Sequence, residues 1–179
     1  MKGIAFLRAI NVGGHVVKME KLRALFEKAG FAGVETFIAS GNVVFEMSAS
    51  AKGPALEKSI ETMLLKALGY EVATFVRTGA ELKAAAGHEP FSPAALKKSV
   101  AFNVAFLRHA PEKGALDALY SLKSTADNFD VRGRELYWLS TVRQGESKLS
   151  NAAFEKALKQ PSTMRGISTI RKMAERYGA

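Results

Sequence analysis

The chain has 179 residues, a length that suits one large domain or two small ones. Its hydrophobic content of 47% is ordinary for a globular protein, and no apolar run approaches the roughly 20 residues that span a bilayer. The absence of cysteine excludes disulfides, thiolate zinc sites and a cysteine nucleophile, while 26 Lys and Arg against 17 Asp and Glu give a net charge of +9 that favours anionic partners.

Ile4 to Leu7 reads as a buried strand. The chain meets Arg8 too early for a signal-peptide core, so a cytoplasmic location is expected. Arg8-Ala9-Ile10-Asn11-Val12-Gly13-Gly14 then leads toward a helix over Lys18 to Ala29, whose Met19, Leu22, Leu25 and Phe26 recur at helical spacing. Val34 to Ile38 and Val43 to Phe45 flank the turn Ser40-Gly41-Asn42 and predict a β-hairpin. Pro54 opens a second helix, with Leu56, Ile60, Met63 and Leu64 on its inner face and Gly69 at its end. Val72 to Val76 is a fourth strand, which completes the order β-α-β-β-α-β of a ferredoxin-like module over residues 1–77.

Residues 78–98 hold a short helix, opened by the capping box Thr78-Gly79-Ala80-Glu81, and a linker around Pro90-Phe91-Ser92-Pro93. A second module with a C-terminal helix is expected over residues 99–179. Val104-Ala105-Phe106-Leu107-Arg108 echoes Ile4-Ala5-Phe6-Leu7-Arg8 one hundred positions on. A helix over Glu112 to Leu122, strands over Asn128 to Val131 and Glu135 to Leu139, and a helix marked by Leu149, Phe154 and Leu158 then repeat the earlier order, as a tandem duplication would. The weak point is the fourth strand, for which only the polar stretch Gln160 to Arg165 is available. A last helix starts near Ile167 with Ile170, Met173 and Tyr177 on one face. The fold class expected is therefore α+β, two ferredoxin-like α/β plaits in tandem.

Four fragments occur in order: Leu7-Arg8-x-Ile10-Asn11-Val12-Gly13-Gly14, Phe37-Ile38-x-Ser40-Gly41-Asn42-Val43-Val44-Phe45, Ser147-Lys148-Leu149 and Thr163-x-Arg165-x-x-x-Thr169. Through them the chain resembles the bacterial family catalogued as domain of unknown function 1697. The resemblance spans essentially the whole chain and implies a tandem of two ferredoxin-like modules. It implies no activity. Where relatives often read Tyr-Ile-Gln-Ser-Gly-Asn, this chain has Phe37-Ile38-Ala39-Ser40-Gly41-Asn42. Where they often read Thr-x-Arg-Asn-Trp-Asn-Thr, it has Gly166-Ile167-Ser168 between Arg165 and Thr169.

The Arg8 loop is the first candidate site. Glycines at Gly13 and Gly14 let backbone N–H groups face a ligand, and an arginine at a strand end forks two bonds to a carboxylate or phosphate. The bland alternative is a tight turn whose arginine pairs with a structural acid. No Walker or dinucleotide pattern is present. Ser40 and Asn42 would present a hydroxyl and an amide beside the loop, or simply build the hairpin. Thr163 precedes the last helix and is placed to cap it. Arg165 and Lys148 would join Arg8 in an anion cluster between the modules. His15 is either an acid–base group or an exposed loop residue. No metal set is legible, since His15, His88 and His109 lie far apart, and no cofactor is indicated.

The function expected is binding of a small anionic ligand, bearing phosphate or carboxylate, at Arg8, Asn11, Gly13, Gly14, Ser40, Asn42, Lys148 and Arg165. Nucleic-acid binding through the basic surface is the second possibility, without the stacking aromatics of an RNA-recognition motif on Gly41 to Phe45. Tyr137 and Trp138 are adjacent on one strand, so at least one faces the core. An enzyme ranks third, because no triad or paired-carboxylate motif is present.

Overall fold

The computed structural model describes residues 1–38, 41–48, 53–143 and 145–178. It is an α+β chain with two four-stranded antiparallel sheets and, among the described residues, seven helices. The chain divides into two compact units, Met1–Ala84 with Met173–Ala179, and Ala85–Lys172. Among the described residues no helix is long and apolar enough to cross a membrane.

The first unit runs β1 (Lys2–Leu7), α1 (Met19–Lys28), β2 (Ala32–Thr36), β3 (Asn42–Glu46), α2 (Pro54–Leu68) and β4 (Thr74–Thr78), with sheet order β2-β3-β1-β4. One sheet face carries Ala5, Leu7, Val43, Phe45 and Val76 against Leu22 and Phe26 of α1 and Ile60 and Leu64 of α2. Phe31 meets Phe45 edge-on at 4.8 Å, and Phe26 lies 6.0 Å from Phe45. Each fully buried phenylalanine contributes about 1.5–3 kcal/mol over its exposed state. The alternate residues Ile4, Phe6, Val44 and Phe75 face the other way and are also fully buried. Burial on both faces is why Ile4 to Leu7 is a continuous apolar run and not an alternating one.

Helix α3 (Gly79–Gly87) follows β4 directly. The second unit continues with α4 (Pro93–Lys98), β5 (Ala101–Leu107), α5 (Lys113–Tyr120), β6 (Asp127–Arg132), β7 (Glu135–Ser140), α6 (Asn151–Leu158) and β8 (Ser162–Gly166). Helix α7 (Ile167–Tyr177) leads back into the first unit. The sheet order is β6-β7-β5-β8. Ala105, Leu107, Leu136 and Trp138 pack with Leu119, Phe154 and Leu158, with Trp138 edge-on to Phe154 at 5.2 Å. Both members of the Tyr137–Trp138 pair are buried. Trp138 is on the helix side, and the Tyr137 hydroxyl donates to the Ala85 carbonyl at 3.2 Å.

Two elements depart from expectation. The Pro90–Pro93 linker is followed at once by a helix, because Ser92 accepts the Ala95 N–H at 3.2 Å and Pro93 suits a first turn. The polar stretch after Gln160 does supply a fourth strand. Ser162 and Thr163 are buried without apolar side chains because their polar atoms are bonded: the Ser162 hydroxyl donates to Asn151 Oδ1 at 2.7 Å.

Strands at the end of a sheet expose a row of N–H groups that would template further pairing. On β4 three alternate N–H groups are instead capped by carboxylates. Thr74 donates to Glu61 at 3.0 Å, Val76 to Glu57 at 2.9 Å and Thr78 to Glu81 at 2.8 Å. The last bond, with the Glu81 N–H donating to Thr78 Oγ1 at 3.2 Å, completes the capping box of α3. On β8 the first of these caps recurs, as Ser162 donates to Glu155 at 2.7 Å. Thr74 and Ser162 hold the same register, paired to Leu7 and Leu107. Arg77 and Arg165 likewise sit opposite Ile4 and Val104, and each donates to the carbonyl of the residue before it, at 2.9 and 2.8 Å.

Candidate functional site

The loop after β1 is braced at its base. The Leu7 N–H donates to the Gly41 carbonyl at 2.8 Å and the Arg8 N–H to Ala73 at 2.9 Å. Asn11 Oδ1 accepts the Val17 N–H at 2.7 Å, which closes the loop across six positions. Ile10 is buried, and its carbonyl accepts the Tyr70 hydroxyl at 2.9 Å. His15 stacks on the same tyrosine, with ring centroids 3.8 Å apart. Arg8 is half-buried at the base of this loop.

The tip is different. Gly13 and Gly14 have φ of +68° and +85°, conformations that disfavour a Cβ, and a Cβ at either would meet nothing within 4 Å. Backbone conformation, and not crowding, therefore requires glycine here. Gly41 is the opposite case, since at φ +72° its Cβ would lie 2.9 Å from Ile10 Cγ2. The hairpin turn thus packs directly on the Arg8 loop. Asn42 is fully buried, and its side-chain amide donates to the Phe37 carbonyl at 3.0 Å, while the Phe37 N–H donates to the Asn42 carbonyl at 3.0 Å. Ser40 lies outside the described residues. The structure therefore brings Arg8, Asn11, Gly13, Gly14 and Asn42 into one corner of the first unit, with Asn11 and Asn42 spent on loop and hairpin closure.

Lys148 and Arg165 belong to the second unit. Lys148 is exposed on a hollow of about 380 Å³ that it shares with Leu122, Ser124, Thr125, Asp127 and Ser147. Within Ser147-Lys148-Leu149 the serine has a structural task, donating to Asp127 at 3.2 Å and accepting the Leu149 N–H at 3.0 Å. Leu149 packs on the helix-side core. All three residues of that motif line the hollow, and Lys148 is the exposed one. Asp127, absent from the sequence-based candidates, is buried and also accepts the Trp138 indole N–H at 2.8 Å and the Ser124 hydroxyl at 3.3 Å. Its signal was present: a buried tryptophan needs an acceptor, and Asp127 is the diagonal neighbour of Trp138, two positions before its partner Phe129.

Arg165 is half-buried on β8, and its guanidinium donates to Thr163 Oγ1 at 3.0 Å as well as to the Met164 carbonyl. Thr163 therefore serves Arg165 and stands within the strand, three residues short of the position that would cap α7. Burial pushes the Arg165 guanidinium down to about 10, which leaves it charged at neutral pH. The sheet face on which RNA-recognition modules stack bases is buried in both units, at Ile4, Phe6 and Val44 and at Val104, Phe106 and Tyr137.

A family model described as "Protein of unknown function (DUF1697)" matches residues 1–137. No curated protein matches the chain. The chain is similar to the solved structure of a conserved bacterial protein from Streptococcus pneumoniae, with a TM-score of 0.74 and 21% identity over 99% of this chain and 98% of that one. At that identity the likeness concerns the fold alone.

Proposed function

The chain belongs to the DUF1697 family of proteins of unknown function, and we propose that it is a binding module for a small anionic ligand received on the loop from Arg8 to Gly14. One observation carries the reading. The loop is held rigidly at its base, by Asn11 on Val17 and Tyr70 on Ile10, while its two-glycine tip opens on empty space. A loop ordered before the ligand arrives loses little entropy on binding. Arg8 at the base supplies a forked donor for a carboxylate or phosphate, and the glycines leave room for a ligand to reach the backbone. The net charge of +9 favours the approach of an anion. Titration with inorganic phosphate and with citrate, followed by the amide resonances of Gly13 and Gly14, tests the reading. Saturable shifts support it, and resonances that stay fixed up to millimolar ligand contradict it.

We also read each unit as a ferredoxin-like module and the pair as a duplication. Support comes from the common sheet order, with its central β1 or β5, and from the strand-to-helix caps Thr74–Glu61 and Ser162–Glu155 in the same register.

A further inference from the structure

We infer that the buried Asp127 carboxylate receives the ammonium group of a small apolar ligand, in the hollow of the second unit that Lys148 lines. Asp127 is 5% exposed. Its Oδ1 accepts the Trp138 indole N–H at 2.8 Å and the Ser147 hydroxyl at 3.2 Å. Its Oδ2 accepts the hydroxyls of Ser124 and Ser147, both at 3.3 Å. Among the described residues the carboxylate's partners are thus an indole and two hydroxyls, none of them a cation. A buried charge held by neutral donors keeps much of its desolvation cost, which a cation offsets. Bonds from an ammonium to a carboxylate run at about 2.7–2.9 Å and are roughly twice as strong as neutral ones. Oδ2, with two long hydroxyl contacts, is the atom with most to gain from one.

Space is available beside it. Asp127 lines two hollows, of about 380 and 400 Å³, and Ser124 to Asp127 form a wall of both. The smaller is also walled by Leu122, Val142 and Leu149, which would take an aliphatic body. Glu146 and Lys148 are exposed on the same hollow. Two acids therefore face one base there, against the net +9 of the whole chain, and the local field favours a cation. The ligand chemistry is a primary ammonium on an aliphatic body. Two sources share it: a simple amine, and a free aliphatic amino acid whose carboxylate would meet Lys148.

The test titrates the full chain with isoamylamine, with leucine and with 4-methylpentanoate at matched ionic strength, and reads tryptophan fluorescence. Trp138 is the only tryptophan and bonds the same carboxylate, so a charge arriving on Asp127 shifts its emission. Isoamylamine or leucine should give a saturable shift. 4-Methylpentanoate, which lacks the ammonium, should give none. Tighter binding of leucine assigns the amino acid, and tighter binding of isoamylamine the simple amine. D127N keeps an oxygen for the indole and removes the charge, so the half-saturating concentration should rise at least tenfold, by analogy with the loss of one charged partner. The inference is overturned if neither ammonium compound shifts the emission, if 4-methylpentanoate shifts it equally, or if D127N responds as wild type does. Should D127N fail to fold, V142F, which fills part of the hollow, decides in its place, and an unchanged response in it overturns the inference.

Discussion

Glu57 on α2 and Asn151 on α6 occupy corresponding places, each one helical turn before a glutamate that caps an N–H of the neighbouring edge strand. Glu57 lies 4.0 Å from the Arg77 guanidinium in a buried ion pair, while Asn151 instead bonds the Ser162 carbonyl and hydroxyl. Breaking a buried pair by removing one partner costs about 3–5 kcal/mol, because the other charge stays buried. Glu57→Gln should therefore destabilise the first unit by about that amount. Hydrogen exchange at the β4 amides measures it in the correct unit, and protection of Val76 unchanged from wild type would contradict the pairing.

Asp127 makes a separate prediction in the second unit. Asp127→Ala leaves the Trp138 indole N–H buried without its acceptor, at a cost of about 1–3 kcal/mol. Trp138 is the only tryptophan, so its fluorescence reports this unit directly. The variant should lower the urea midpoint of the fluorescence transition, and an unshifted midpoint would show that Asp127 does not hold the indole.

The loop residues should separate by task. Asn11→Ala removes the bond that closes the loop and should cost about 1 kcal/mol. Gly13→Ala forces a Cβ into φ +68°, at a cost of about 1 kcal/mol or more. Both should also weaken anion binding, since each loosens the loop. A loss of binding with no loss of stability in Asn11→Ala would show that Asn11 touches the ligand itself.

Alkaline stability tests how α7 docks in the first unit. The Tyr177 hydroxyl donates to Glu35 Oε2 at 3.0 Å, and Arg176 reaches the same oxygen at 2.7 Å. Burial first, then the hydrogen bond and charge of Glu35, raise the tyrosine above its ordinary 10.0, with Arg176 opposing. The folded state thus holds this proton more tightly than the unfolded chain. Its contribution is complete below about pH 10 and is lost as pH rises through the raised folded value. Tyr177→Phe should lose stability less steeply than wild type above pH 10, and identical alkaline slopes would contradict the assignment.

Much of this architecture is legible in the sequence, and the reasons differ by residue. Ile4 to Leu7 and its echo at Val104 to Leu107 are strands buried on both faces, so they stand out as apolar runs. Thr78 and Glu81 form the capping box that their spacing announces. The strand at Ser162–Gly166 was obscure because edge strands satisfy their polar groups laterally, here through Glu155 and Asn151, and need no apolar pattern. The Arg8 loop was visible as glycines after a strand. What the sequence hid was the division of labour within it, for Asn11 looks like a ligand contact until Val17 is seen donating to it. The β4 and β8 edges were hidden altogether, because Glu57 and Glu61 within α2 and Asn151 at the start of α6 read as ordinary polar helix residues until the neighbouring strand is placed.

The most direct measurement is ligand-induced thermal stabilisation of wild type, Arg8→Ala and Arg8→Lys, across a panel of phosphates, nucleotides and carboxylates. At least one anion should raise the wild-type melting temperature by several degrees. Arg8→Lys should keep a small part of that response, and Arg8→Ala should lose it while remaining folded. A panel that moves no melting temperature, or an Arg8→Ala protein that responds as fully as wild type, would contradict anion binding at this loop.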